Sequence, residues 1–242
     1  GTILWSWHIW VVDFDPVATQ QTYISGAVMM DRNLGALNVI PGDLGSFGLM
    51  YQWGRKDPFM GSGVTWNDGW MRAYTAPSDA IRYEYYDSSN DTIENAVKNP
   101  TVVYNDARWN EANDLWGYKK TMYDPCPAGW RVSDYAAWEG LVKSSDSHRE
   151  YIEYPEPYST PAAYFPTAGY TSGEECIDYI NQGSYLWLTE HRRYVDMWYD
   201  RNPYMDWRDV DYLKSVRCMK DDPDKNGDNE DYTEGDDYEW ND

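Results

Sequence analysis

Residues 123–132, which read Tyr123-Asp-Pro-Cys-Pro-Ala-Gly-Trp-Arg-Val132, are the most constrained stretch of the chain. Pro125 and Pro127 fix φ on both sides of Cys126 and remove two backbone donors. Gly129 then permits a sharp reversal before the apolar end of the stretch. A segment this stiff suits a junction at which the chain leaves a loop and enters a core element.

The cysteine of this stretch needs a partner, and the chain offers two others, Cys176 and Cys218. Three cysteines fit one disulfide and one remaining thiol. The residues alone leave open which pair forms.

The composition is rich in aromatic residues and strongly acidic. The 242 residues include 14 Trp and 23 Tyr, and they are enough for one large domain or two small ones. Aromatic side chains bury large areas, so they can replace aliphatic residues in a core, and they also form flat contact surfaces for sugars and proteins. The net charge of −21 argues against nucleic acid as a partner, because phosphate binding needs a basic face. It also argues against an anionic membrane surface.

The charge and the apolar pattern divide the chain into a body and a tail. Segment 221–242 contains 11 acidic residues and one lysine. Such a composition predicts a disordered acidic tail after a single domain at 1–220. No apolar run approaches the roughly 18 residues needed to span a bilayer, so no membrane insertion is predicted.

Alternating apolar residues predict several strands. Residues 3–14 are apolar on both alternating faces, which predicts a central strand buried on both sides. A second strand is predicted at 27–31, and 184–188 with 195–199 predict a hairpin whose tip is 190–193. Residues 213–219 predict the last strand.

Three segments carry helix signals. Asp43 is a good N-cap for a helix over 43–54, and Ser133 begins a helical stripe that ends near residue 143. A short helix is predicted at 92–98, with Thr92 as its N-cap and Asn99-Pro100 as its end. Few helices, many short strands and long aromatic loops are typical of an α+β domain.

Several motifs in order along the chain resemble the FISUMP family, the major paralogous domains of surface proteins of Bacteroidetes and related bacteria. These domains often stand at the C-terminal end of fimbrillin-like proteins or lipoproteins. The resemblance covers residues 3–220 and is carried by Trp5-Ser-Trp-His-Ile-Trp10, Met30-Asp-Arg-Asn-Leu-Gly-Ala36, Tyr51-Gln-Trp-Gly-Arg-Lys-Asp-Pro-Phe59, Lys98-Asn-Pro-Thr101, Leu115-Trp-Gly117, the stretch 123–132 and Ser215-Val-Arg-Cys218.

The resemblance implies a C-type-lectin-like fold. In that fold small antiparallel sheets are flanked by two helices and long loops, and the N- and C-terminal strands pair. It also implies a disulfide between Cys126 and Cys218, which would place the protein outside the cytosol. The expected location is therefore extracellular, or the outer-membrane surface of a bacterium with a lipoprotein anchor in the full-length protein.

The chain departs from the family pattern at three places. Ser133 follows the motif where relatives have proline, and Tyr185-Leu-Trp-Leu188 stands where relatives often have Tyr-Trp-Ser-Ser. The acidic tail is an addition. The loop of Glu190, His191, Arg192 and Arg193 after the second departure is where we expect specificity particular to this chain.

The segment that corresponds to the variable lectin loops supplies the candidate ligand-binding residues. It combines aromatic faces, which stack on sugars and anchor protein interfaces, with guanidinium groups. The same rings could equally fill a core that is poor in aliphatic residues. The candidates are Trp187, Arg192, Arg193, Trp198, Tyr199, Arg201 and Trp207.

Neither calcium nor catalysis is favoured by the motifs. Trp-Asn-Asp occurs at 66–68 and 240–242, away from the position it has in calcium-binding lectins. Asp222, Asp224, Asn226 and Asp228 resemble half of an EF-loop, but its twelfth position is Thr233 rather than Glu. We therefore expect no cofactor, with calcium as the alternative.

The catalytic motifs of hydrolases and zinc enzymes are also missing from the sequence. We therefore predict a non-enzymatic cell-surface adhesion module whose ligand is a glycan or a surface protein. The alternatives are a structural or tip subunit of a fimbria-like assembly, with pilus subunits as partners, and a carbohydrate-active enzyme.

Overall fold

Short β-strands dominate the computed structural model of the chain. The structure describes residues 1–59, 64–67, 70–73, 82–84, 92–104, 109, 115–141, 151–156, 159–172, 176–180, 182–198 and 202–222. The one α-helix in this part of the chain, α1, is Ile93–Lys98, and 3-10 turns lie at Leu44–Ser46 and Tyr135–Trp138. The strands are β1 Gln21–Thr22, β2 Val28–Met29, β3 Met50–Gln52, β4 Pro58–Phe59, β5 Val64–Asn67, β6 Trp70–Ala73, β7 Arg82–Glu84, β8 Val102–Tyr104, β9 Trp130–Val132, β10 Tyr151–Glu156, β11 Ser159–Pro166, β12 Tyr170–Ser172, β13 Cys176–Asp178, β14 Gly183–Trp187, β15 Arg193–Trp198, β16 Tyr204–Trp207, β17 Leu213–Ser215 and β18 Cys218–Lys220.

Two sheets organise the fold. The larger has the order β13-β12-β17-β14-β15-β16, and β3 joins β17 at its side and pairs with β4. The smaller has the order β1-β2-β18-β9. Among the described residues, three two-stranded pairs complete the sheets: β10 with β11, β5 with β6, and β7 with β8. The architecture is a β-rich domain with few helices, which agrees with the α+β prediction at this coarse level.

The predicted strand at 3–14 is wrong. No residue of this segment pairs with a strand in the described part of the chain, and Leu4, Trp7, Ile9 and Val11 are each more than three-quarters exposed. Single side chains anchor the segment instead, as where Arg32 covers the ring of Phe14 at 3.5 Å. From the N-terminal part of the chain, it is β2 that pairs with β18.

Two of the three predicted helices are only 3-10 turns, so a pair of flanking helices is not seen in the described residues. Asp43 does cap the first turn, but Gly48 then adopts a positive φ of 79°, and β3 pairs with β17 where the helix was predicted to continue. The second turn is capped by Asp134 rather than Ser133 and is followed by Gly140 at φ 78°. Both glycines take the left-handed conformation that ends helical structure.

The other predicted elements are confirmed. Thr92 caps α1, which ends before Asn99, and β2 lies within the predicted strand at 27–31. The predicted hairpin is β14 and β15, paired antiparallel. The predicted last strand is divided into β17 and β18 because Val216 and Arg217 leave the sheet between them.

The core is built largely from aromatic residues whose polar atoms are bonded to the backbone. The indole Nε1 of Trp53 donates to the Leu188 carbonyl at 3.0 Å, and that of Trp187 donates to the Tyr51 carbonyl at 2.9 Å. Such bonds remove the cost of burying an indole N–H group.

The described part of the chain contains no helix with the length and apolar character that a membrane span requires.

Among the described residues, Arg217 is one of two fully buried arginines that hold the chain together. It donates to Asn33 Oδ1 at 2.9 and 3.1 Å and to the carbonyl of Tyr164 at 2.8 Å. Arg55 donates to carbonyls around the end of α1, including that of Val102 at 2.5 Å, and burial lowers its pKa to about 10. Both arginines therefore join segments that are distant in sequence.

The stretch 123–132 joins the loop that precedes it to β18, the strand near the end of the described chain. The predicted disulfide between Cys126 and Cys218 is present, with a Cα–Cα distance of 5.9 Å. Strand β9 ends the stretch and pairs with β18, so the covalent link and the strand pairing coincide. Asp124 fixes the loop between them, because its carboxylate accepts hydrogen bonds from the backbone N–H groups of Cys126 and Val132.

Asp124→Ala is expected to destabilise the protein by about 2–4 kcal/mol. The change leaves two buried backbone donors without an acceptor and removes the ion pair with Lys120 at 2.8 Å. Urea denaturation measures the loss. Asp124→Asn keeps one acceptor and should lose less, so equal stability of the alanine variant and the wild type would contradict this role.

Candidate functional site

The larger sheet has two chemically different faces. On β14, Tyr185 and Trp187 point to one face, and Leu186 lies between them on the other, because successive side chains of a strand alternate. The same alternation places Tyr194, Asp196 and Trp198 of β15 with the first face. The two sets belong to separate hydrophobic clusters.

Seven aromatic rings and one lysine form a cluster on the first face, which we call the aromatic face, and five of the rings lie around the lysine. The rings are contributed by β12, β14, β15 and the segments next to β13 and β17, and neighbouring ring centroids lie 4.8–6.4 Å apart. Its members are Tyr170, Tyr179, Tyr185, Trp187, Tyr194, Trp198, Tyr212 and Lys214.

Lys214 is the centre of the aromatic face. It lies in β17, its side chain is fully buried, and its Nζ has no hydrogen-bond partner among the described residues. Nζ is instead 4.2 Å from the ring centroids of Tyr170 and Tyr194, with three further rings 4.9–5.6 Å away. Five ring faces attract an ammonium through their quadrupoles and hold it in place of water.

Opposing effects act on the protonation of this lysine. Burial lowers the pKa of Lys214 well below its usual value, and the positive charge of Arg208 acts in the same direction. The carboxylates of Asp196, Asp206 and Asp211 raise it, but burial is the larger effect. The surroundings of the Lys214 amine therefore disfavour its protonated, charged form.

Two carboxylates beside the aromatic face accept hydrogen bonds from tyrosine hydroxyls and so join β15 to β16. Tyr204 donates its hydroxyl proton to Asp196 Oδ2 at 2.8 Å, and Tyr194 donates to Asp206 Oδ2 at 2.8 Å. Each bond joins β15 to β16 beside the lysine. Burial and the bond to Asp206 raise the pKa of Tyr194, so the phenol stays protonated.

Tyr179 brings the aromatic face to solvent. The residue is 42% exposed, and its backbone has a φ of 59°, a conformation that costs energy in a bulky residue. The ring stacks on Tyr170 at 5.6 Å with an interplanar angle of 29°, and it meets the edge of Trp198 at 5.1 Å. The strained backbone thus places the Tyr179 ring at the surface, where contacts with Tyr170 and Trp198 fix its position.

The predicted binding residues are divided among three places. Trp187 lies in the core and is 0% exposed, so its ring offers no surface to a ligand. Trp198 lies on the aromatic face and is partly exposed. Tyr199 and Arg201 lie outside the described residues.

The remaining three predicted residues lie at the edge of the sheet, away from the aromatic face. Arg193 and Trp207 are paired across β15 and β16, where Trp207 shares a face with Met205, and Trp207 is 52% exposed. Arg192 has a φ of 62° and forms an exposed ion pair with Asp209 at 3.2 Å. The structure therefore does not bring these three together with Trp198.

The sequence did not identify Lys214, Tyr170, Tyr179 or Tyr212 as members of a site. Lys214 stands in a short strand with nothing in the flanking sequence to mark it. For Tyr170 and Tyr179, the available signal was the density of tyrosines in the segment 151–211. Only the pairing of β17 with β12 and β14 brings the lysine to the rings.

Within the described part of the chain, no three His, Cys, Asp or Glu residues are close enough to hold a metal ion. The side chains of residues 66–68 and the acidic segments from residue 224 onward, which carry the calcium-like motifs, lie outside the described residues. Searches of protein-family models, of curated proteins and of solved structures found nothing that matches the chain.

Proposed function

We propose that this chain is a non-enzymatic binding module of a bacterial cell surface that recognises a glycan through the aromatic face. The observation that carries the proposal is the exposed ring of Tyr179, stacked on Tyr170 and held at a positive φ. Tyrosine and tryptophan rings present flat apolar surfaces to the C–H faces of sugars, and their hydroxyl and N–H groups bond to sugar hydroxyls.

The buried lysine gives this surface its rigidity. Lys214 contacts Tyr170 and Tyr212 from inside the protein, so these rings have little freedom to reorient. A surface that is already ordered loses less conformational entropy when a ligand binds. Arg208 lies beside the same rings with a side chain that is 42% exposed, and it supplies hydrogen-bond donors at the rim.

The proposal also includes the family of the fold and the cellular location of the protein. We infer a C-type-lectin-like domain of the FISUMP type, supported by the disulfide between Cys126 and Cys218 and by the β2–β18 pairing near the two ends of the body. A disulfide is stable in oxidising compartments, which supports an extracellular or outer-membrane location. The bonds from tyrosines to Asp196 and Asp206 suit these carboxylates to a structural role rather than to proton transfer.

A glycan array tests the proposal with a matched pair of variants. Tyr179→Ala should lose most of the binding, because removing a stacked ring costs about 1–3 kcal/mol in comparable aromatic contacts. Trp207→Ala removes a ring that is even more exposed from the other face and should leave the preference unchanged. Loss of binding in Trp207→Ala alone would place the site at the sheet edge, and the absence of any glycan bound by the wild type would refute the lectin role.

One observation favours a second candidate, a subunit of a fimbria-like assembly. The segment 1–12 carries no charged side chain, and it exposes Leu4, Trp7, Ile9 and Val11. Large apolar side chains exposed along one uncharged segment suit a contact with another protein. Under this alternative, Trp7→Ser with Ile9→Ser would abolish binding to pilus subunits in a pull-down and leave glycan binding intact.

A further inference from the structure

A cleft of about 530 Å³ lies between the β1–β2 turn and strands β9 and β18, away from the aromatic face. Its volume is within the range of small-molecule sites. Val28 and Met219 contribute apolar wall, and Tyr118, Arg131, Asp134 and Asp221 contribute polar groups. We call it the Arg131 cleft.

The Nε–H donor of Arg131 is buried and has no acceptor among the described residues. The residue is 6% exposed, and its two terminal nitrogens donate to the Val132 carbonyl at 3.1 Å and to Asp134 Oδ2 at 2.5 Å. Asp221 Oδ1 lies 3.9 Å from this Nε, which is too far for a hydrogen bond. A buried N–H group without an acceptor costs about 1–3 kcal/mol, which an oxygen atom entering the cleft would recover.

The charges of the cleft restrict the ligand class. Arg131 and Lys220 face three carboxylates, those of Asp134, Asp221 and Asp222, in a molecule of net charge −21. An anion is therefore disfavoured. A purely cationic ligand is also unsuitable, because an ammonium has no lone pair to accept the Nε–H bond.

We propose that the Arg131 cleft is a second binding site that takes a neutral hydroxylated ligand of the size of a hexose. One ligand oxygen accepts from Arg131 Nε, and ligand hydroxyls donate to the carboxylates of Asp221 and Asp222. The apolar face of the sugar ring lies against Val28 and Met219. The cleft shares no residue with the aromatic face, so the proposal stands independently of the function proposed above.

NMR titration of the ¹⁵N-labelled full chain with glucose, galactose, mannose and N-acetylglucosamine tests the site directly. We expect at least one sugar to shift the Nε–H resonance of Arg131 and the backbone amides of Gly26 and Lys220, with saturation at a Kd in the millimolar range. Glucuronate should bind more weakly than glucose. Resonances that stay unchanged or shift without saturation would overturn the proposal, and tighter binding of glucuronate would overturn the neutral ligand class.

Two variants separate this site from the aromatic face. Ala136→Phe places a ring into the cleft from an exposed position and should weaken sugar binding there by about tenfold or more. Tyr179→Ala should leave the shift of the Arg131 Nε–H resonance unchanged. If Ala136→Phe binds as the wild type does, the ligand is elsewhere and the assignment fails, whatever the glycan array shows for Tyr179.

Discussion

Replacing both Cys126 and Cys218 by alanine is expected to destabilise the protein by about 4–5 kcal/mol. The disulfide closes a loop with a sequence separation of 92 residues, so its removal restores a large chain entropy to the unfolded state. For a chain of this size, such a loss lowers Tm by roughly 10–20 °C. Urea and thermal denaturation of the double variant, and of the wild type with reductant, measure the effect.

The same experiment separates scaffold from binding site. Cys126 and Cys218 lie in the core, and neither contributes to the aromatic face. The fraction of the double variant that remains folded should therefore keep the glycan preference of the wild type. A loss of less than about 1 kcal/mol would show that the β9–β18 pairing holds the junction without the covalent link, and an altered preference would show that the junction shapes the site.

Sequence signals correctly predicted the elements whose ends are defined by residues within or next to the element itself. The cap of Thr92 and the Asn99-Pro100 end are enough to define α1, because both act within the helix itself. The β14–β15 hairpin was predicted because its apolar alternation and its tip are contiguous in sequence. In both cases the decisive contacts lie within a few residues of the element.

Two elements whose backbone depends on distant partners were predicted incorrectly. Residues 3–14 have the alternation of a buried strand, but a strand also needs neighbours, and sequence periodicity does not say whether they exist. The stripe at 44–54 has helical spacing, yet the pairing of β3 with β17 determines the backbone there. Tertiary pairing outweighs local propensity at both places.

The family-like motifs identify the scaffold rather than the ligand surface. Asn33, Trp53, Arg55, Arg131 and Arg217 all come from these motifs, and all are buried with specific hydrogen bonds. The aromatic face is instead formed from segments without such motifs. Its centre, Lys214, directly precedes the last motif, and its rings come from strands that meet only in the folded protein.

Lys214→Met is expected to raise stability near neutral pH, with a gain that falls as pH rises toward 10. Burial lowers the pKa of Lys214 in the folded protein, whereas an unfolded lysine stays protonated up to about pH 10.4. Between these two pKa values the unfolded state binds more protons, so the unfolding free energy of the wild type rises with pH, by at most about 1.4 kcal/mol per unit. Methionine has similar length and does not titrate, so its variant lacks this slope.

Urea denaturation of both proteins at several pH values from 7 to 9.5 measures the slope. The pKa values of Tyr185 and Tyr194 are raised by burial, but both residues are present in each protein, so their effect cancels in the difference. Lys214→Arg keeps its charge throughout this range and should be destabilised at every pH. A methionine variant that is less stable than the wild type at all pH values would show that the five ring faces stabilise the ammonium by more than burial disfavours it.

The same substitutions test whether the lysine orders the glycan surface. Met at position 214 still fills the space between Tyr170, Tyr194 and Tyr212, so these rings should keep their positions and the glycan preference should persist. Lys214→Ala leaves a cavity behind the rings, which should cost about 2–5 kcal/mol of stability and weaken glycan binding in the folded protein. If the alanine variant binds as tightly as the wild type, the outer rings of Tyr179 and Trp198 suffice, and the buried lysine serves the fold alone.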